Sequence, residues 1–220
     1  LQGPTLVMPN HPGYIDPPLV LSHVRLRQAV RPVVTTGMYR QPLLYPLMRL
    51  VDALEVPDLS EQSQGARQRT LAMIDAVVAG LQRGETFLIY PSGRVQRRDV
   101  EVIGAARAVS DILERFPLAN LVLVRTRGLW GSVFTCAQTG KAPELGRSAL
   151  RAVGWMIANL LLFAPRREVT VTVELVNRED LPELSREKLN PYLEQWYNRE
   201  GPQPPVYVPS HHLLGPRQFH

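Results

Sequence analysis

The sequence predicts an α/β fold: one domain, with a mixed, mostly parallel central sheet flanked by helices. Three observations carry this expectation. Short apolar runs alternate with longer stretches of helical spacing along the chain. The run Ala119–Val124 is apolar without alternation, as in a strand buried on both faces. The segment Glu168–Val176 ends in Thr-Val-Thr-Val-Glu-Leu-Val, and this two-residue alternation marks a half-buried strand. The chain of 220 residues is long enough for one such core.

Each element has its own local signal. Thr5–Pro9 reads as a buried strand, closed by the turn-prone run Pro9-Asn10-His11-Pro12-Gly13. A helix is expected from Asp16 to about Gln28, because Pro17 and Pro18 suit a first turn whose amides have no helical partner. Arg31–Thr36 reads as a strand, and Leu43–Leu54 as a short apolar helix interrupted by Pro46. Asp58 or Ser60 is suited to cap a long helix reaching Arg83, with Leu71, Ile74, Val78 and Leu81 on one face. Gly84 ends it. Glu85–Tyr90 is then a strand, followed by the turn Pro91-Ser92-Gly93, and Gly104–Phe116 is helical. Gly146–Phe163 and Ser185–Glu200 are expected helices. Residues 1–200 are expected to form the domain, and 201–220 a proline-rich tail that wraps it or stays mobile. The chain begins at Leu1 rather than Met, so it is expected to be a piece of a longer protein.

Composition narrows the function. Apolar residues make up 45% and charged residues 20%, which fits a folded domain and not a disordered chain. A single cysteine, Cys136, excludes an internal disulfide framework and a cysteine-rich zinc module. The five histidines show no HExxH spacing. The net charge of +5 suits anionic partners. The basic residues show no nucleic-acid recognition motif and no aromatic interleaving, so no nucleic-acid partner is expected. The longest uncharged run, Ala152–Pro165, falls short of the roughly 18–20 residues that span a bilayer.

Three strand ends carry residues suited to chemistry. In Asn10-His11-Pro12-Gly13-Tyr14-Ile15-Asp16, a strand delivers a histidine and the next helix starts on an aspartate. Across such a turn the carboxylate can fix the imidazole tautomer and leave the other nitrogen as a general base. Free imidazole ionises at about 6.5, which makes histidine the side chain suited to that task at neutral pH. The plainer reading has Asp16 as a helix cap and His11 as a turn residue. In Tyr90-Pro91-Ser92-Gly93-Arg94, backbone amides and a guanidinium could cradle a phosphate, or the segment is only a solvated basic turn. The third strand ends in Arg125-Thr126-Arg127-Gly128 and offers a second cationic edge. Ligands of open α/β sheets collect beyond the carboxyl ends of strands, so the convergence of three such ends carries more weight than any one.

These residues resemble the glycerolipid acyltransferases, the lysophosphatidic acid acyltransferase-like group. That family carries a histidine and an aspartate separated by four residues, often preceded by asparagine, matched by Asn10, His11 and Asp16. Its Phe-Pro-Glu-Gly block is matched by Tyr90, Pro91, Ser92 and Gly93, with Arg94 following. Its apolar Val-Pro-Val strand is matched by Val122, Leu123 and Val124, followed by Arg125. The likeness covers roughly residues 1–177. Ser92 stands where the family has glutamate, Leu123 stands where it has proline, and Leu54–Asp58 lacks the arginine that usually ends the second block.

The resemblance implies a glycerol-3-phosphate acyltransferase-like fold and an O-acyltransferase. The acyl group would pass from acyl-CoA or acyl carrier protein to the glycerol hydroxyl of a lysophospholipid. His11 would be the general base, oriented by Asp16, and amides of the turn after His11 would steady the oxyanion. Asn10, Ser92, Gly93, Arg94 and Arg125 would bind substrate. No metal or cofactor is implied beyond the thioester co-substrate. Two alternatives stand beside it: a non-catalytic lipid- or acyl-carrier-binding module of a larger enzyme, and a serine thioesterase or lipase using Ser92. The latter lacks a Gly-x-Ser-x-Gly elbow. The protein is expected on the cytoplasmic face of an anionic membrane, held peripherally. Trp155, Met156, Leu160, Leu161, Leu162 and Phe163 read most simply as core. The sharper reading makes them interfacial, flanked by Arg147 and Arg151 on one side and Arg166 and Arg167 on the other. Cys136 and His23 are expected to be structural.

Overall fold

The computed structural model of the chain describes residues 2–24, 26–42, 44–56, 64–161 and 166–207. One six-stranded sheet contains β1 (Thr5–Pro9), β2 (Val30–Thr35), β3 (Leu54–Val56), β4 (Thr86–Leu88), β5 (Asn120–Arg127) and β6 (Thr170–Val176). The strand order is β3-β2-β4-β1-β5-β6. Every pairing is parallel except that of β5 with β6. The parallel strands therefore end on one side of the sheet. The chain leaves β1 for β2 in one direction and later crosses from β4 to β5 in the other. Such a reversal opens a crevice at the strand ends, and here it lies at β1.

The helices are α1 (Asp16–His23), α2 (Thr36–Tyr39), α3 (Tyr45–Leu50), α4 (Gln64–Gln82), α5 (Ala108–Arg115), α6 (Leu145–Ala158) and α7 (Arg186–Tyr197). Alternate strand residues point to opposite sheet faces. Leu6, Met8, Phe87, Leu121 and Leu123 meet Ile74 and Leu81 of α4, Ile112 of α5, and Leu189 and Leu193 of α7. Val7, Leu88, Val122 and Val124 face the other way and meet Val20 and Val24. Burying one such side chain contributes about 1.5–3 kcal/mol. The first face thus has three helices over it and holds most of the core, while α1 and the segment that follows it cover the face on the His11 side.

Several boundaries differ from expectation. Helix α1 stops at His23, not Gln28. The Ser22 hydroxyl donates to the Leu19 carbonyl at 2.8 Å, and the His23 ring lies 2.8 Å from the same oxygen. Such local bonds compete with a further helical turn. Val24 is then extended and buried. The expected helix over Leu43–Leu54 is shorter and ends in a strand. Asp52 turns to φ 49°, and Leu54–Val56 pairs with β2. A short apolar run has too little periodicity to separate the two states, so the open edge of β2 decides. In α4 the buried stripe is Met73, Ile74, Val77, Val78 and Leu81, with Leu71 outside it and exposed. Helix α5 begins at Ala108 because the amides of Ile103 and Gly104 are bound by Glu194 of α7.

The simplest reading of the 155–163 run as core fails. Met156, Leu160 and Leu161 are exposed and Trp155 is half-buried. Leu162 and Phe163 lie outside the described residues, as do the cap candidates Asp58 and Ser60 and residues 208–220. Residues 201–207 run extended across the domain, with the Gln203 amide donating to the Asp99 carbonyl and the Val206 amide to the Trp130 carbonyl. Cys136 is buried beside Val95 and Trp130, and burial pushes its thiol up. His23 is exposed and, among the described residues, bonded only within α1.

Candidate functional site

His11 follows the end of β1. Asn10 fixes that end: its amide donates to Val124, and its side chain makes paired bonds with Thr126, accepting from the backbone N–H at 2.8 Å and donating to the carbonyl at 3.1 Å. Asn10 therefore extends the β1–β5 ladder and is 6% exposed. The structure assigns it to the frame, not to the substrate surface expected from sequence.

The chain then turns sharply against residues 134 and 135. The Tyr14 amide donates to the Phe134 carbonyl at 3.0 Å. A Cβ on residue 13 would stand 2.7 Å from that carbonyl oxygen, so only Gly13 fits the approach. The turn delivers Asp16 to the first residue of α1 directly beneath the imidazole. His11 Nδ1 lies 3.2 Å from Asp16 Oδ1 and 3.3 Å from Oδ2. Asp16 is fully buried and His11 is 13% exposed by its side chain. His11 Nε2 has no hydrogen-bond partner among the described residues.

Two tyrosines complete the cluster. The Tyr90 hydroxyl donates to Asp16 Oδ1 at 3.3 Å, and its ring stacks on the imidazole with centroids 3.9 Å apart. Tyr14 meets the imidazole edge-on at 6.4 Å. Burial raises the Asp16 carboxyl above its ordinary range, while His11 and the Tyr90 hydroxyl draw it back. Burial, with the Asp16 charge beside it, pushes the Tyr90 phenol well above its ordinary value, so it stays a donor. An imidazole so held has one nitrogen committed to a carboxylate and the other open for proton transfer.

The Pro91–Arg94 turn lies over the same strand end. The Gln96 amide donates to the His11 carbonyl at 2.7 Å, and Gly93 adopts φ 63° to make the turn. The Ser92 hydroxyl donates to the Arg94 carbonyl at 2.9 Å. Among the described residues it makes no hydrogen bond to His11, which leaves the serine-nucleophile reading without its essential contact. Arg94, Arg97 and Arg98 are exposed, and none forms an ion pair among the described residues. Arg125 is a correction. It lies on the sheet face of Leu121 and Leu123, is 3% exposed, pairs with Glu200 and sits 5.8 Å from the Trp196 ring. Parallel-strand alternation sends it under α7, away from the imidazole.

Sequence reasoning missed Glu101, whose carboxylate accepts the His11 backbone N–H at 3.1 Å. It stands in a charged loop with Arg97, Arg98 and Asp99, and nothing in its neighbours signals burial. It also missed Tyr90 and Tyr14 as site residues. Tyr90 was legible, because alternation from Leu88 puts it on the α1 side. Glu101, Phe134 and the Gly13 carbonyl already engage the amides of His11, Tyr14 and Asp16. The expected oxyanion donors of the turn are thereby narrowed to Gly13 and Ile15. A cavity of about 580 Å³ opens between residues 133–144 and the start of α6, and Thr135 borders both it and Gly13.

A family model described as Acyltransferase matches residues 1–139, which carry β1 to β5 and every residue of this cluster. The chain belongs to the acyltransferase family. Its fold is similar to that of the 1-acyl-sn-glycerophosphate (LPA) acyltransferase PlsC from Thermotoga maritima. The TM-score is 0.55 at 15% identity, covering 89% of this chain and 64% of that one. At that identity the likeness is one of fold. No curated protein matches the chain. Helices α6 and α7 and strand β6 lie outside the matched segment. Among the described residues no helix is long and apolar enough to cross a membrane.

Proposed function

We propose that this acyltransferase moves a fatty acyl group from an acyl thioester, acyl-CoA or acyl carrier protein, to the glycerol hydroxyl of a lysophospholipid. The observation that carries the reading is the His11–Asp16–Tyr90 cluster at a strand end, with Nε2 unbonded among the described residues. His11 Nε2 takes the hydroxyl proton as the oxygen attacks the thioester carbonyl. The tetrahedral intermediate collapses, the carbon–sulfur bond breaks, and the imidazolium returns the proton to the departing thiolate. The products are an ester and a free thiol. Asp16 stabilises the transient imidazolium, and Tyr90 keeps Asp16 oriented. Arg94, helped by Arg97 and Arg98, receives the acceptor phosphate as a fork of donors.

The membrane surface belongs to the same reading. In α6, Leu150, Val153 and Ile157, followed by Leu160, recur at helical spacing and all face solvent. Arg147, Arg151 and Arg166 flank the stripe and are exposed. An outward apolar stripe beside cationic side chains suits an anionic lipid surface, and docking there keeps a two-tailed product at its bilayer. The cytoplasmic leaflet is the face we assign.

Labelled acyl-CoA and acyl carrier protein, each offered with a panel of lysophospholipids, test the proposal. Wild type should form a diacyl product, and His11→Ala should lower the rate by about 10²- to 10⁴-fold or more. Unchanged transfer in His11→Ala, or a covalent adduct of a serine-directed phosphonate on Ser92, would overturn it.

A further inference from the structure

The backbone of His11 is gripped from both sides by one loop. Its N–H donates to Glu101 Oε2 at 3.1 Å, and its carbonyl accepts from the Gln96 amide at 2.7 Å. Glu101 is 3% exposed. It makes no ion pair among the described residues, although a buried carboxylate without a cation is costly.

The loop is held in turn by the C-terminal helix. Asn198, just beyond α7, accepts the Glu101 N–H at 2.9 Å and donates to the Glu101 carbonyl at 2.8 Å. Glu194 of α7 accepts the amides of Ile103 and Gly104 at 2.6 and 2.8 Å. The Tyr197 hydroxyl donates to the Met8 carbonyl in β1 at 2.8 Å. Thus α7 reaches the strand end directly through Tyr197 and reaches His11 through Glu101. These contacts come from a helix beyond the segment matched by the family.

We propose that Glu101 is a positioning residue: braced by Asn198 and α7, its carboxyl fixes the His11 backbone so that the imidazole stays on Asp16 and under Tyr90. The inference rests on the proton-transfer role of His11. It needs no contact between Glu101 and substrate. A misplacement of a reacting group by about 1 Å can cost about 10²-fold, so a single backbone bond at this point has leverage.

The test uses the full chain and two readouts. The first is steady-state transfer from acyl thioester to lysophospholipid. The second is the ¹⁵N spectrum of the His11 imidazole, at a pH where the ring is neutral. Glu101→Gln keeps an oxygen for the His11 N–H and should hold kcat within about threefold of wild type. Glu101→Ala should lower kcat about 10- to 100-fold with KM for both substrates little changed. Its imidazole should lose the single Nδ1-protonated tautomer that wild type and Glu101→Gln show. Asn198→Ala, which leaves the carboxyl in place and frees its backbone, should move kcat the same way by less, and it answers the question if Glu101→Ala does not fold. Equal losses in Glu101→Gln and Glu101→Ala would overturn the proposal, as would a change in KM alone. So would wild-type rates and an unchanged tautomer in both Glu101→Ala and Asn198→Ala. If the wild-type chain transfers no acyl group, the proposed function fails, while a tautomer change confined to Glu101→Ala and Asn198→Ala still supports the positioning.

Discussion

Helix α7 turns Leu189, Leu193, Trp196 and Tyr197 into the sheet, whereas α6 turns Leu150, Val153 and Ile157 away from it. Both helices lie beyond the matched segment and both are amphipathic by sequence. Helix α7 is tied to the site through Glu194, Tyr197 and the adjoining Asn198. On α6 the sole buried residue is Ser148, whose hydroxyl donates to the Val133 carbonyl at 2.8 Å. The contrast teaches that an apolar stripe identifies a side of a helix that leaves water. It does not say whether protein or lipid receives it.

Three measurements would break or sharpen that contrast. The largest effect is on stability. Trp196→Ala removes a buried indole that donates to Glu174 at 3.0 Å and lies 4.8 Å from the Arg199 guanidinium. It should cost about 3–5 kcal/mol in urea unfolding. Leu150→Ala on α6 should stay within about 0.5 kcal/mol of wild type. A comparable loss at Leu150 would mean that α6 packs on protein in solution, and the contrast would collapse.

The second effect is on docking. Ile157→Asp should weaken sedimentation with phosphatidylglycerol vesicles about 10- to 100-fold, the equivalent of one buried aliphatic side chain, with Tm unchanged. Phosphatidylcholine vesicles should hold wild type weakly at any salt. Equal sedimentation of wild type and Ile157→Asp would remove α6 from the membrane reading.

The smallest effect concerns the loop that α7 braces. Burial raises the Glu101 carboxyl above its ordinary range, and bonds from Ser92 and His11 only partly draw it back. The folded state therefore keeps its proton at pH values where the unfolded chain has lost it. Stability from this group is full below the ordinary carboxylate range and declines as pH rises through the raised one. Glu101→Gln carries no such penalty. It should melt slightly above wild type at neutral pH, with the gap closing in acid. A gap that widens in acid would show that the ionised carboxylate is the favoured partner of the His11 amide.

Much of the frame is legible in the sequence. The β1 run, the unbroken Ala119–Val124 strand and the alternating Glu168–Val176 strand report their burial through side-chain spacing alone. The His11–Asp16 pair was readable for a related reason, since five residues across one tight turn leave the two side chains few places to go. Leu54–Val56 was not, because a three-residue strand exists only where a neighbour offers an open edge. The burial of Arg125 is not legible either, because its position at a strand end says nothing of which face α7 covers.

By itself, then, the sequence determined the alternation of strands and helices, the histidine–aspartate turn and the cationic Arg94–Arg98 stretch, all of which depend on residues close together in the chain. Tertiary structure alone decided that Tyr90 stacks on His11, that Glu101 grips its backbone, that Arg125 is enclosed by α7 and that α6 faces outward. Those contacts join residues far apart in sequence, and their free energies depend on burial and distance that local spacing does not encode.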